Sequence, residues 1–293
     1  MFRLFTIRLL ALLFLTGCLQ TSQNMKSKLS ALRLDYDSPV DSSLQKFLEQ
    51  TDAALRGRHH MAPNQTSVGV LDLTNDRLAL IHPDRGDYAA SVPKIGILLA
   101  YFQSHPGAAT NLDSATRHEL GLMIKVSSNE MAAKYSRALG LKQIQEVLNS
   151  YHFYDANHGG GLWVGKHYGV GSERYGDPVG DNSHAATVRQ LLRFYLLLEQ
   201  GKLVSPEASK TMREIFQSPD IPHDENKFVK GLAGRGLQIM RKSGTWQDWL
   251  HDTAMVTGPG RHYILVALTR HPQGDEYLTD LAAAIDDLLM KKF

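Results

Sequence analysis

The sequence runs to 293 residues, 43% of them hydrophobic, enough apolar surface for one large domain or two closely packed lobes. Its formal net charge is +2, with both signs spread along the chain, which argues against a nucleic-acid or polyanion partner. Cys18 stands alone, so no intrachain disulfide is possible, and internal repeats, heptads and nucleotide-loop glycine patterns are absent from the sequence.

The first segment has a basic start at Arg3 and Arg8, then an unbroken apolar run from Leu9 to Leu15, then Thr16-Gly17-Cys18. The run is too short to cross a bilayer and reads as an export signal. Its Leu15-Thr16-Gly17-Cys18 ending resembles the bacterial lipoprotein signal. That resemblance implies loss of residues 1–17, a lipid on Cys18, and attachment through it to a membrane of the bacterial cell envelope, facing the periplasm. Residues 18–40, rich in Ser, Gln, Asn and Lys, are expected to form a flexible tether, which leaves 41–293 for the folded domain.

Asp41 to Gly57 carries Leu44, Phe47, Leu48 and Leu55 near helical spacing. Ser67–Leu73 and Arg77–Ile81 read as strands joined by a turn at Thr74-Asn75-Asp76. Val92 to Gln103 reads as a helix apolar nearly all round, hence buried. Leu112–Lys125, a segment from Ser127 to Leu139, and Gln143–Asn149 read as further helices. From Ser150 to Ser183 the periodicity fails: glycines are interleaved with Trp163, Tyr168 and Tyr175, and a loop that long in a compact domain points to function. Thr187–Gly201 and Pro206–Phe216 read as helices. Gly236–Met240 reads as a strand running into Arg241-Lys242-Ser243-Gly244-Thr245; Thr253–Val256 and Tyr263–Thr269 follow as strands, and Tyr277–Met290 closes as a helix. This order predicts an α/β protein of the α+β type. One antiparallel sheet of about five strands carries the first and last helices on one face. An α/β lobe, about 41–90 and 227–293, faces an all-helical lobe, about 91–226, across a cleft.

Three short stretches carry chemistry. In Ser91-Val92-Pro93-Lys94 a serine stands at the mouth of a helix, with a lysine one turn on and on the same face. Pro93 suits a first helical turn, and the partial positive charge of a helix N-terminus favours an alkoxide or oxyanion there. A serine hydroxyl needs a base, and a lysine serves only if its pKa is lowered. The same S-x-x-K spacing recurs at Ser43 to Lys46 in a polar helix, so spacing alone does not select Ser91. The second stretch is Ser127-Ser128-Asn129, which also reads as a helix cap, and Ser22-Gln23-Asn24 repeats its pattern by chance. The third is Lys242-Ser243-Gly244-Thr245 at a strand end, where Gly244 leaves room for a substrate backbone along the strand edge.

In this order the three stretches resemble the signature of the penicillin-recognising serine enzymes, and most closely the class A β-lactamase-like family. The resemblance extends from about Ser67 to the C-terminus and includes Asp252–Val256, Pro259-Gly260 and Tyr263–Ala267. It implies that Ser91 is acylated and that Lys94 helps to deprotonate it. Ser127 would relay a proton to the leaving nitrogen, and Asn129 would orient Lys94 and the substrate amide. Lys242 would supply positive charge to Ser127 and to a substrate carboxylate, which Ser243 would bind. The N–H groups of Ser91 and Thr245 would form an oxyanion hole. Crowding of Lys94 by Lys242 is expected to lower a lysine pKa.

The chain departs from the family where Ser128 replaces a common aspartate, and where no E-x-x-L-N segment lies between Asn129 and Lys242. The family's deacylating glutamate is therefore unmatched. Glu173 is the first candidate base in the long loop, ahead of Asp177 and Asp181. His152, His158, His167 and His184 have irregular spacing, and neither a metal nor a cofactor is assigned. The expected substrate is a β-lactam small molecule or a peptidoglycan-peptide amide of the D-Ala-D-Ala type. A D,D-carboxypeptidase-type or other amidase or esterase with slow β-lactam turnover stays open, as does a non-catalytic envelope lipoprotein that uses the fold for binding. Oligomeric state is not legible.

Overall fold

A computed structural model describes residues 28–169 and 173–291. Cys18, the signal segment and tether residues 19–27 lie outside the described residues. Residues up to Leu34 belong to a unit of their own, described from a short helix at 28–31 onward. The second unit begins at Asp35.

In that unit, helix α1 spans Ser42–Arg58, and Asp41 caps it by accepting from the Leu44 N–H at 2.8 Å. Strands β1 (Thr66–Asp72) and β2 (Arg77–Ile81) form a hairpin. Late in the chain come β8 (Gln238–Trp246), β9 (Trp249–Gly258) and β10 (Arg261–Arg270). Together they make one antiparallel sheet in the order β2-β1-β10-β9-β8, so β8 is an edge strand. The closing helix α9, Gly274–Met290, packs beside α1 on one face: Leu44, Leu48, Tyr277, Leu281 and Ile285 join Val68, Val70, Leu265 and Ala267 in a continuous core. Cutting such a side chain to alanine costs about 2–5 kcal/mol. Gly69 lies on the other face, where a Cβ would come within 2.5 Å of Val188 on helix α6 (Val188–Glu199), so a side chain there would push that helix off the sheet.

The helical part contributes α2 (Lys94–Ser104), α3 (Ser114–Lys125), α4 (Asn129–Leu139), α5 (Leu141–Ser150) and, after α6, α7 (Pro206–Phe216). Helix α2 buries Ile95, Ile97, Leu98, Leu99 and Phe102 completely, as its all-round apolarity predicts.

The Ser150–Ser183 stretch is not one irregular loop. Strands β4 (Tyr154–Asp155) and β5 (Gly160–Gly161) pair, while β6 (Trp163–Val164) pairs with β7 (His184–Ala186). Strand β7 pairs in turn with β3 (Asp87–Tyr88), just ahead of the Ser91 turn. These pairs are too short to show a period-2 pattern, which is why no strand could be read there. The short helix α8, Lys227–Gly231, also escaped a reading based on periodicity.

Candidate active site

A tight turn leads into the site. Ala90 takes a left-handed φ of +49°, and the Val92 N–H donates to the Ala89 carbonyl at 3.0 Å. Helix α2 starts at Lys94 with Pro93 as its flank, so Ser91 lies just ahead of the helix and Lys94 in its first turn. The spacing brings Lys94 Nζ within 3.1 Å of Ser91 Oγ.

Ser127 sits between α3 and α4, also left-handed at φ +60°. The cap of α4 is Ser128, which accepts from the Met131 N–H at 3.2 Å. Capping therefore leaves the Ser127 hydroxyl free for another task. That oxygen accepts from Lys94 Nζ at 3.3 Å and from Lys242 Nζ at 2.7 Å. Lys94 Nζ also donates to the Ser127 carbonyl at 2.6 Å and to Asn129 Oδ1 at 2.7 Å. A non-glycine residue in the left-handed region costs on the order of 1 kcal/mol or more. Both instances here lie at the Ser91–Lys94–Ser127 cluster and are held by hydrogen bonds on their carbonyls: Lys94 binds that of Ser127, and Tyr168 Oη binds that of Ala90 at 3.1 Å.

Strand β8 supplies the third corner. Lys242 is fully buried, and its Nζ donates to Ser127 Oγ and, at 2.7 Å, to the Ser243 carbonyl. Side chains alternate along a strand, so Ser243 points to the opposite face from Lys242; it is half-buried. Gly244 is packed on its Cβ side. A Cβ there would lie 2.8 Å from the Ala89 carbonyl oxygen and 3.2 Å from the Ser91 nitrogen, so the protein's own serine turn occupies that space. The glycine lets the edge strand lie directly against the Ser91 backbone. Thr245 follows at the exposed end of the edge.

Burial sets the electrostatics. It pulls Lys94 Nζ down from 10.5 to about 7, so burial rather than the neighbouring cation is the main cause. Lys242 is driven well below its ordinary range, first by burial and then by the charge of Lys94. Two ammonium groups on one hydroxyl oxygen repel, and the buried pair favours a state with a neutral amine. The guanidinium of Arg241 on the other face is neutralised by Asp252 at 2.7 Å, both fully buried.

Ser91, Asn129 and Thr245 open onto a cavity of about 450 Å³, with further walls from Tyr88, Lys166, Tyr168, His184 and Trp246. The volume suits a small-molecule ligand. No carboxylate lines this cavity among the described residues. Glu173 is exposed and lines a neighbouring cavity of about 640 Å³ that contains Trp163 and Tyr175 but not Ser91. Asp177 is committed elsewhere: it accepts from the N–H groups of Val179, Gly180 and Asn182, at 3.1, 3.0 and 2.6 Å. Asp181 pairs with Arg174.

Sequence reasoning did not foresee three residues of this site. Tyr168 lays its ring 4.5 Å from Lys94 Nζ, and only the aromatic content of the long loop hinted at it. His184 packs edge-on against Tyr168 at 4.2 Å between ring centroids, and burial pulls it down to about 4, so it is neutral. Lys227, buried behind β8, carried no motif at all.

The model of a β-lactamase enzyme family matches residues 109–293, a stretch that holds Ser127, Asn129 and Lys242 to Thr245. The chain belongs to this family. Among solved structures, a β-lactamase from Sphaerobacter thermophilus superposes with a TM-score of 0.68 at 14% identity, covering 84% of this chain and 97% of that one. The protein PBP-A superposes at 0.66 with 17% identity over 89% of this chain and 100% of its own. A PBP-A variant in acyl-enzyme complex with penicillin G does so at 0.63 with 16% identity, over 85% and 98%. At such identities these likenesses show the fold. No curated protein matches the chain. The family match starts after Ser91 and Lys94, so those two enter the site through the geometry above.

Proposed function

We propose that the protein is a cell-envelope serine hydrolase that forms an acyl-enzyme at Ser91 with β-lactams or D-Ala-D-Ala-like amides. The observation that carries this reading is the placement of Lys94 Nζ. It is buried, has its pKa pulled to about 7, and lies within hydrogen-bonding distance of both the Ser91 and the Ser127 hydroxyl. A neutral Lys94 takes the Ser91 proton as Oγ attacks the carbonyl carbon. The oxyanion so formed is held by the N–H groups of Ser91 and Thr245. Ser127 Oγ already accepts from both lysines, so its own proton is free to pass to the leaving nitrogen, and Lys94 restores it. The C–N bond breaks, and the acyl group stays on Ser91. Asn129 fixes Lys94 and a substrate amide, while Lys242 supplies a donor beside Ser127; Ser243, on the opposite face of β8, is not placed to share a carboxylate with Lys242.

Release of the acyl group needs a base beside the ester, and the absence of a carboxylate among the described cavity residues supports slow deacylation. This favours a D,D-peptidase-type enzyme or other amidase over an efficient β-lactamase. PBP-A, a variant of which carries a penicillin G acyl group in its solved structure, is a structural neighbour consistent with that choice. Peptide mapping after incubation with penicillin G tests the assignment. The adduct is expected on the peptide containing Ser91, and an adduct on the Ser43 peptide would contradict it.

The lipid on Cys18 and the periplasm-facing location belong to the same proposal, supported by the Leu15–Cys18 ending and the lack of another cysteine. Metabolic labelling with a fatty acid in a bacterial host is expected to mark the wild type and not Cys18→Ala. Equal labelling of both would remove this part.

A further inference from the structure

Lys227 opens the short helix α8 at a left-handed φ of +49°, and only 1% of the residue is exposed. No part of the acylation chemistry above uses it. Its Nζ donates to the Gly244 carbonyl at 3.0 Å, to Thr245 Oγ1 at 2.6 Å and to the His251 carbonyl at 3.4 Å. An ammonium has three protons, and three acceptors surround it. Its counter-charge is Asp275, whose Oδ1 lies 3.6 Å away and has no hydrogen-bond partner of its own. Burial pulls the Lys227 pKa down, while the carboxylates of Asp252 and Asp275 pull it back up.

The Gly244 carbonyl belongs to the same peptide unit as the Thr245 N–H. In a trans peptide the two dipoles point in opposite directions. The chain contains no cis peptide among its described residues. Gly244 is registered opposite His251 on β9, and its carbonyl points inward to Lys227. The Thr245 N–H therefore points outward, to the free edge of β8, where the Ser91 backbone lies against Gly244 and the 450 Å³ cavity opens. A cation on the carbonyl end of a peptide withdraws electron density from its N–H end, and hydrogen bonds in such a chain strengthen one another, more so at low dielectric.

We propose that Lys227 is a positioning residue that polarises the Gly244–Thr245 peptide and so strengthens the Thr245 N–H as an oxyanion donor. The inference rests on the acyl-enzyme reading of Ser91. It adds that the oxyanion hole is tuned from behind, by a charge that neither touches substrate nor faces the cavity.

The test is the infrared carbonyl band of the penicillin G acyl-enzyme, recorded with the ester carbon isotopically labelled, together with the acylation rate and Tm. Removing a whole oxyanion donor costs about 10²–10³-fold; weakening one should cost less, about 10-fold in acylation for Lys227→Met. The ester band of this variant should move to higher wavenumber as the bond to its oxygen weakens, and Lys227→Arg should bring band and rate back toward wild type. A folded Lys227→Met with an unmoved band and an unchanged rate overturns the proposal. So does a folded Lys227→Arg that restores neither. If Lys227→Met does not fold, Asp275→Asn replaces it. Freed of its carboxylate, Lys227 pulls harder on Gly244 and the band should fall; a band at or above the wild-type position overturns the proposal. Absence of any wild-type adduct by intact mass is a different failure, since it removes the acyl-enzyme reading itself and the inference with it.

Discussion

Lys94 and Tyr168 meet at 4.5 Å, yet they come from regions built in different ways. Lys94 belongs to a triangle in which each corner is a short motif on a regular element: Ser91 and Lys94 at the head of α2, Ser127 at the head of α4, Lys242 on β8. Tyr168 belongs to the wall opposite, assembled from two-residue strand pairs and from turns. In the triangle each contributing group sits on or at the head of a regular element, and the Ser91–Lys94 contact is set by a helix turn. In the wall the contacts are set by tertiary closure, such as the Ala89 N–H donating to the His184 carbonyl at 2.9 Å. On the proposed reading the triangle holds what acylation requires. On the same reading the wall governs release of the acyl group, and among the described residues it presents Tyr168 and a neutral His184 rather than a carboxylate.

The sharpest way to break that division lies inside the triangle. Lys94→Met removes the base but keeps the side-chain length, and is expected to slow acylation about 10³-fold. In the wild type, acylation should fall as pH drops through about 7. Below that value Lys94 Nζ holds a proton and cannot accept one from Ser91, so each further unit of pH costs about tenfold. Stopped-flow acylation rates between pH 5 and 9 check both; a rate indifferent to pH would assign the base elsewhere.

A change in the wall should act more weakly on the same step. Tyr168→Phe keeps the ring over Lys94 but loses the bond to the Ala90 carbonyl. A neutral hydrogen bond of this kind is worth about 1 kcal/mol, so acylation should slow by about 5-fold. A loss as large as that of Lys94→Met would mean that the wall shares the chemistry of the triangle.

What was legible follows the same line. The five-stranded antiparallel sheet could be anticipated from the order of periodic elements, and Lys94 beside Ser91 from helix spacing, whereas the meeting of both lysines on Ser127, across 33 and 115 residues, was implied only by the family resemblance. The Ser127-Ser128-Asn129 stretch reads as a helix cap in the sequence, and the structure gives that cap to Ser128, which leaves Ser127 for the lysines. The packing of Gly244 against the Ser91 turn joins segments far apart in sequence and leaves no local mark. Tyr168, His184 and Lys227 went unseen for the same reason. Their partners lie on other elements, and nothing in their local sequence marks them.

The smallest expected effect is at Glu173. It is exposed and lines the neighbouring cavity, so Glu173→Gln should leave the lifetime of the adduct unchanged. A markedly longer lifetime in that variant would show the loop supplying the base.

The central proposal is that Ser91, Lys94, Ser127 and Lys242 make a complete acylation site, with no carboxylate among the described residues of its cavity to empty it. Intact mass measured over time, after mixing wild type with excess penicillin G and then removing the drug, tests this most directly. The account predicts stoichiometric gain of one penicilloyl group, absent in Ser91→Ala, that decays over many minutes or longer. Rapid consumption of the drug by multiple turnover, with no adduct surviving to be weighed, would contradict it.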